Sequence, residues 1–243
     1  MEIEKEHIIG ELVANDYRTA SVFKSFGIDF CCKGNRSIHD ACEGSSINPD
    51  QLIEKLNQAV ATGDGKENDF QSWDLDLLID YILKKHHRFV ENKIQEITPF
   101  LNKVATKHGG RHPELIEIEK LFMGATIDLA AHMQKEEMIL FPFIEKMVAS
   151  KSNNQFLGAP HFGTVENPVG MMRHEHDAEG DRFRRIAELS NNYTPPEDAC
   201  NTYRVSFALL QEFEEDLHKH IHLENNILFP KAIELERELL DVV

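Results

Sequence analysis

One pattern that decides the fold occurs twice, as HMQKEEMILFP at residues 132–142 and as HIHLENNILFP at residues 220–230. Both stretches read H-x-x-x-E-x-x-I-L-F-P, so a histidine and a glutamate occupy the same slots in each copy. In a helix, residues four positions apart lie one above the other on the same face, so each pair can reach one point. The repeat therefore predicts two helices that each aim a histidine and a carboxylate at a common site.

The composition around the repeat is that of a helical globular protein. Hydrophobic residues make up 41% of the 243 residues, which is an ordinary share for a packed core, and we find no strand alternation or βαβ pattern. The net charge of −16 disfavours nucleic acid as a partner. The sequence lacks a signal-peptide pattern and an apolar run long enough for a membrane span. We therefore expect a cytoplasmic chain with reduced thiols and no membrane partner.

The sequence divides into a small helical domain at residues 1–62, a linker at 63–72 and a larger domain at 73–243. The stretch TGDGKEND at 62–69 is polar and contains glycine, which is typical of a linker. In the small domain, Gly27 and Ser37 have the residue types that end and begin helices.

Four long amphipathic stretches fill the larger domain, and the fold class is all-α. The fourth stretch opens with TPPE, which has the sequence of a capping box with Thr194 as N-cap. Long helices joined by short connections form an up-down-up-down four-helix bundle. We predict these helices at about 74–107, 113–148, 168–193 and 194–240.

The histidine and glutamate of each repeat interrupt an apolar seam that faces the predicted core. A buried carboxylate costs several kcal/mol unless it is paired or bound to a metal. The third bundle helix adds His176 to the core, and the first adds either His86 or His87. A lone core histidine is usually structural, but coordinated positions in four seams favour a dinuclear metal site with two bridging carboxylates. Imidazole and carboxylate ligands suit iron or manganese.

Several neighbouring residues are assigned to other roles by the same periodicity. His218 and His222 lie off the apolar seam and are predicted to be rim residues, and His174 is predicted to be solvated. Asp128 precedes His132 by four residues on the same face, so we expect it to orient that histidine.

The vicinal cysteines Cys31 and Cys32 are the second chemical feature. Thiolates bind iron or exchange disulfides, and the adjacent Lys33 is expected to lower a thiol pKa. They are therefore candidate redox or iron-transfer thiols, with two partly buried structural thiols as the alternative. We interpret Cys42 and Cys200 as structural.

The repeats, the stretch HEHDAEG at 174–180 and the histidine of the first bundle helix resemble the hemerythrin-like di-iron bundle. The stretch YRTASVFKSFGIDFCCKGNRSIHDAC at 17–42 resembles the ScdA-type domain that precedes such a bundle in the Repair of Iron Centers family. The resemblance covers nearly the whole chain. It implies two carboxylate-bridged iron ions per chain and favours His87 over His86. The implied ligands are His87, His132, Glu136, His176, His220 and Glu224.

The resemblance also implies a function. Such a protein restores iron-sulfur clusters damaged by oxidative or nitrosative stress, and its partners would be the damaged proteins and a second copy in a homodimer. The fifth histidine ligand of hemerythrins proper is not found, which argues against simple oxygen carriage. Two hypotheses stay open, namely iron delivery and a redox or gas-binding centre that acts on nitric oxide or oxygen, with nitric oxide or nitrite reductase-like activity.

Overall fold

A computed structural model describes residues 3–61, 69–153, 158 and 160–241. The described residues are helical apart from turns, loops and one isolated β-bridge between Ile8 and Ser37. They form two compact units, Met1–Leu78 with Ile221–Val243, and Ile79–His220. Among the helices of these residues, none is long and apolar enough to cross a lipid bilayer. The predicted all-α class is confirmed.

In the N-terminal part of the first unit, two helix ends follow the expected capping signals. Gly27, two residues after the end of the second helix, has a φ of +69°, a conformation that glycine adopts without strain. Ser37 and Asp40 form a capping box at the third helix. The helices are α1 (Ile9–Asn15), α2 (Arg18–Ser25), α3 (Ile38–Cys42) and α4 (Pro49–Ala61).

The C-terminal segment 221–243 belongs to this first unit as well. Lys231 Nζ donates hydrogen bonds to the backbone carbonyls of Gln71 at 2.6 Å and Trp73 at 2.8 Å. Part of the predicted linker is therefore structured, since Phe70–Ser72 form a short 3-10 helix. Residues 62–68 of that linker lie outside the described residues, and the predicted domain boundary stays a prediction.

The second unit is built from long helices with π-helical interruptions. Helix α5 comprises Leu75–Tyr81, the π segment Ile82–His87 and Arg88–His108, and its residues up to Leu78 lie in the first unit. Helix α6 comprises Glu114–Lys135, the π segment Glu136–Leu140 and Phe141–Asn153. Helix α7 is Glu166–Leu189. Helix α8 comprises Asn201–Leu223, the π segment Glu224–Leu228 and Phe229–Asp241, and its last part lies in the first unit.

Two predicted helix starts are wrong. Helix α7 begins at Glu166, two residues before the expected Pro168. Helix α8 begins at Asn201 rather than after Thr194. A residue that precedes a proline is pushed away from helical backbone angles, so Pro195, followed by Pro196, is a poor first helical residue. The connection before it also contains three successive left-handed residues, Asn191, Asn192 and Tyr193.

The core of the bundle centres on Phe213 of α8, which is 1% exposed. Its ring lies 6.4 Å from that of Phe89 in α5, 5.4 Å from that of Phe122 in α6 and 5.3 Å from that of Phe183 in α7. One aromatic side chain from each of the other three helices therefore packs on the same ring. Such pairs stabilise beyond the area that they bury.

Replacing Phe213 by alanine should lower the free energy of unfolding by about 3–5 kcal/mol, because it leaves a cavity where four helices meet. Urea denaturation followed by circular dichroism measures the change. The matched control is Ile127→Ala, at a side chain that is 69% exposed, and its effect should stay within about 0.5 kcal/mol. Equal losses in the two variants would contradict the packing described.

Candidate metal centre

Five of the predicted ligands converge inside the second unit, all of them at most 3% exposed. One ligand atom from each of His87, Glu136 and His220 lies within 4.8 Å of the others, and the same holds for His132, Glu136 and His176. Glu136 belongs to both groups. The arrangement therefore has two neighbouring places for a cation with one carboxylate between them.

Glu136 is the centre of this arrangement. Its Oε2 lies 3.4 Å from Nε2 of both His87 and His132, and the Nε2 atoms of His132 and His176 are 3.1 Å apart. The glutamate is fully buried, and neither of its oxygens accepts a hydrogen bond from the described residues. A buried carboxylate in that situation is strongly disfavoured unless a cation binds it. The donor set of imidazoles and a carboxylate fits iron or manganese.

Glu224 follows His220 by four residues along α8, so helical spacing places both on one face. Its side chain is 0% exposed. By the division into units, it lies at the start of the segment that belongs to the first unit.

A π-helical turn begins at each repeat glutamate. The N–H of Phe141 donates to the carbonyl of Glu136, and the N–H of Phe229 donates to the carbonyl of Glu224, five residues back in both cases. Such turns are rare and occur frequently at functional sites. These turns could have been predicted from the proline of each ILFP stretch, because proline has no N–H and crowds the carbonyl four residues before it.

Carboxylates from outside the ligand set orient two of the histidines. His87 Nδ1 lies 2.7 Å from Glu137 Oε1, and His132 Nδ1 lies 2.9 Å from Glu175 Oε2. When Nδ1 donates to a carboxylate, Nε2 is left free to bind a metal, and the ligand becomes more basic. Burial alone would raise the pKa of Glu175, but hydrogen bonds from Lys135 and His132 outweigh it and lower that pKa.

The prediction that Asp128 orients His132 is therefore wrong. Asp128 accepts a hydrogen bond from Arg182 Nη2 at 2.5 Å, and its side chain is 58% exposed. The residue that bonds to His132 comes from the neighbouring helix α7, so spacing along α6 alone could not reveal it.

His86 and His87 are both buried, but they have different neighbours. His86 Nδ1 lies 2.9 Å from Asp216 Oδ2, and the ring stacks on His220 with centroids 5.5 Å apart and planes at 11°. His86 is in neither group of candidate ligands among the described residues. The structure brings His87 together with Glu136 and His220, and His86 packs against the candidate ligand His220. The choice of His87 as a ligand stays a prediction.

The other histidines follow the prediction in part. His174 is exposed, as expected, and His218 is half-buried. His222 is 1% exposed and therefore is not a rim residue. Its ring packs on Tyr17 at 5.7 Å and Phe30 at 6.1 Å within the first unit, a contact with distant sequence that helical periodicity cannot show.

A cavity of about 220 Å³ lies beside His132 and His176 and is also lined by Glu175 and Glu179. Burial raises the pKa of Glu179 to about 7, although Arg182 at 3.0 Å opposes this shift. The cavity offers room next to one of the two candidate ligand groups.

The vicinal cysteines lie in the first unit. Cys31 is buried and Cys32 half-buried, and Cys31 Sγ lies 3.4 Å from Asp29 Oδ1. The hydrogen bond with Cys32 and burial raise the pKa of Cys31 well above its usual value. The expected lowering by Lys33 is therefore wrong for Cys31. Of the other thiols, Cys42 is buried and Cys200 is exposed.

Known protein families match both parts of the chain. Residues 78–232 match the hemerythrin HHE cation binding domain, and residues 5–60 match the ScdA_N family, described as a domain of unknown function (DUF542). An iron-sulfur cluster repair protein ScdA from Staphylococcus haemolyticus (strain JCSC1435) is 30% identical over 94% of this chain and 99% of its own.

The chain belongs to the family of iron-sulfur cluster repair proteins. Two further members are iron-sulfur cluster repair proteins YtfE. The protein from Dickeya chrysanthemi (strain Ech1591) is 32% identical over 94% of this chain and 97% of its own. The protein from Yersinia pseudotuberculosis serotype O:1b (strain IP 31758) is 32% identical over 93% of this chain and 96% of its own. The family resemblance and the hemerythrin-like bundle are thereby confirmed.

Metal affinity should distinguish the two carboxylates near His132. Glu175→Ala removes the acceptor of its Nδ1 hydrogen and should weaken iron binding by about 10–100-fold. Asp128→Ala should leave the affinity nearly unchanged, because Asp128 bonds to Arg182 instead. Competition with a chromophoric chelator measures both constants, and a larger loss for Asp128→Ala would refute the assignment.

Proposed function

We propose that this member of the family is a di-iron protein that repairs iron-sulfur clusters damaged by oxidative or nitrosative stress by supplying iron. The observation that carries the proposal is the buried Glu136, which two groups of imidazoles share. The names of the relatives support the choice of iron-sulfur proteins as partners.

In this proposal each iron is held by two imidazoles, and both carboxylates bridge. His87 and His220 would hold one iron, and His132 and His176 would hold the other. Glu136 would be one bridge, and Glu224 is proposed as the other on the basis of its burial and its spacing from His220. Bound iron supplies a labile, redox-active metal pair with coordination positions left for an exogenous ligand.

The proposed role of Cys31 and Cys32 is to pass iron to a damaged cluster. Their thiols lie in a unit that holds none of the five converging ligands. Thiolate ligands suit iron-sulfur chemistry, which the transfer of iron to a cluster requires.

A second function is favoured by the cavity beside His132 and His176. Space next to a metal pair with open positions would admit nitric oxide or oxygen, and the centre would then act as a nitric oxide or nitrite reductase-like enzyme. The stress response, the cytoplasmic location and the homodimer belong to the same proposal and follow from the family resemblance.

The first test is metal content. The purified protein should contain about two irons per chain, the number that four imidazoles and two bridging carboxylates accommodate. His132→Ala or His220→Ala should lower this number sharply. His174→Ala is the matched control, because His174 is exposed, and it should keep the iron. Iron analysis with Mössbauer spectroscopy gives the readout, and loss of iron only in the control would reverse the assignment.

The second test separates delivery from gas chemistry. Replacing both Cys31 and Cys32 by serine should preserve the iron content but slow the reactivation of an iron-sulfur enzyme inactivated by peroxide or nitric oxide. Cys200→Ser, at an exposed thiol elsewhere, should reactivate it at the wild-type rate. The readout is the time course of recovered activity at equal iron loading. Full reactivation by the double variant would favour the gas-binding function.

A further inference from the structure

The two vicinal sulfurs are spaced as a chelating pair. Cys31 Sγ and Cys32 Sγ lie 3.7 Å apart. Two thiolates that each lie about 2.3 Å from one tetrahedral cation are separated by roughly 3.8 Å. The carboxylate of Asp29 is the third group, and one ligand atom from each of the three residues lies within 4.8 Å of the others. A single cation can therefore reach all three side chains.

We propose that Asp29, Cys31 and Cys32 form a second cation site that takes ferrous iron in transit. This inference rests on the proposed iron delivery and names the place where iron is held outside the di-iron centre. Three protein ligands leave a fourth tetrahedral position open, as in sites that exchange a ligand, whereas structural sites are closed by four. Thiolates select soft and borderline cations over magnesium and calcium.

Backbone hydrogen bonds hold the carboxylate of Asp29 beside the two sulfurs. Asp29 Oδ1 accepts backbone hydrogen bonds from Cys31 at 3.1 Å and Cys32 at 2.9 Å. These bonds fix the side chain of Asp29 beside the two thiols. When a divalent cation binds, the two thiol protons pass to solvent and two thiolates remain on the metal, with no change of oxidation state.

Two asparagines hold this loop to helix α8. Asn225 Nδ2 donates to the carbonyl of Cys31 at 3.1 Å, and Asn226 Nδ2 donates to the carbonyl of Phe30 at 3.3 Å. Asn225 directly follows Glu224 in the sequence. The proposed transit site is therefore anchored to the helical turn that begins at Glu224.

The hydrogen bond from Asn226 to the loop requires the backbone of α1 to lie close to Asn226. A Cβ on Gly10 would lie 2.5 Å from Asn226 Oδ1, and the N–H of Gly10 donates to the carbonyl of Gly34 at 2.7 Å. Glycine at position 10 thus lets α1 pack beside the asparagine that holds the loop. The first copy of the repeat has Glu137 and Met138 at the slots of the two asparagines, so these amides are specific to the copy that holds the thiol loop.

Cobalt titration tests the site in the full-length chain. The metal-free protein, with thiols reduced and oxygen excluded, is titrated with Co²⁺ while the sulfur-to-cobalt charge-transfer absorption is recorded. The imidazoles and carboxylates of the bundle contribute no such absorption. We expect a saturable band in the wild type and none in the Cys31→Ser/Cys32→Ser variant. Asp29→Asn keeps an oxygen for the backbone bonds but loses the charge, so cobalt should bind at least about tenfold more weakly.

The matched control is Cys200→Ser, because Cys200 Sγ lies 3.3 Å from His108 Nε2 and is a second place where a thiol meets another metal-binding side chain. The band should be unchanged in this variant. A wild type without the band, or a double-serine variant that keeps it, would overturn the site.

A competition assigns the metal. Fe²⁺ binds less tightly than Co²⁺, so roughly a hundredfold excess should abolish the cobalt band. Displacement by Zn²⁺ but not by Fe²⁺ would overturn the assignment to iron. His132→Ala should lose bundle iron and keep the cobalt–sulfur band, which separates failure of this site from failure of the proposed di-iron function.

Discussion

The burial of the Glu136 carboxylate is the constraint on which the rest of the second unit depends. The side chain is 0% exposed and its oxygens accept no hydrogen bond from the described residues. Isolating such a charge from water costs several kcal/mol, which only a bound cation or a proton can offset. Metal binding and folding are thereby linked, because the folded chain is the state in which the imidazoles surround this carboxylate.

The surrounding apolar packing makes that burial tolerable. Phe213 lies seven residues before His220 on α8 and contacts an aromatic ring from each of the other three helices. This cluster stabilises the bundle without contributing any metal ligand. Closer to the site, Glu137 and Glu175 fix the orientation of His87 and His132. Packing thus supplies the stability, while polar contacts supply the geometry that a metal requires.

The sequence was sufficient for the features that follow from periodicity within one helix. The repeat identified the face that carries His132 and Glu136, and the seams of the other helices identified further histidines that the structure brings together. Helical periodicity gave a wrong prediction where the contact is made by a residue of a neighbouring helix. Asp128 has the right spacing, yet Glu175 of another helix bonds to His132.

Two other errors have local or long-range causes. His222 is off the bundle seam but is buried by Tyr17 and Phe30, which are distant in sequence. The start of α8 was misplaced because the second of two prolines restricts the backbone of the first, which outweighs a good capping sequence. Helical periodicity contains no information about the packing of distant residues on His222 or about the backbone restriction that a proline imposes.

The two copies of the repeat keep one scaffold and use it for different contacts. In both, the glutamate begins a π turn that ends two residues before a proline, so the helix widens at the repeat glutamate. The position after the glutamate differs in chemistry. Glu137 is a carboxylate that lies at hydrogen-bond distance from His87 Nδ1, whereas Asn225 is an amide that donates to the carbonyl of Cys31. A carboxylate at position 225 could not make that bond, since it has no N–H. The residue at this one position therefore differs with the role of the turn. Glu137 orients the imidazole of His87, and Asn225 holds the loop that carries the thiols.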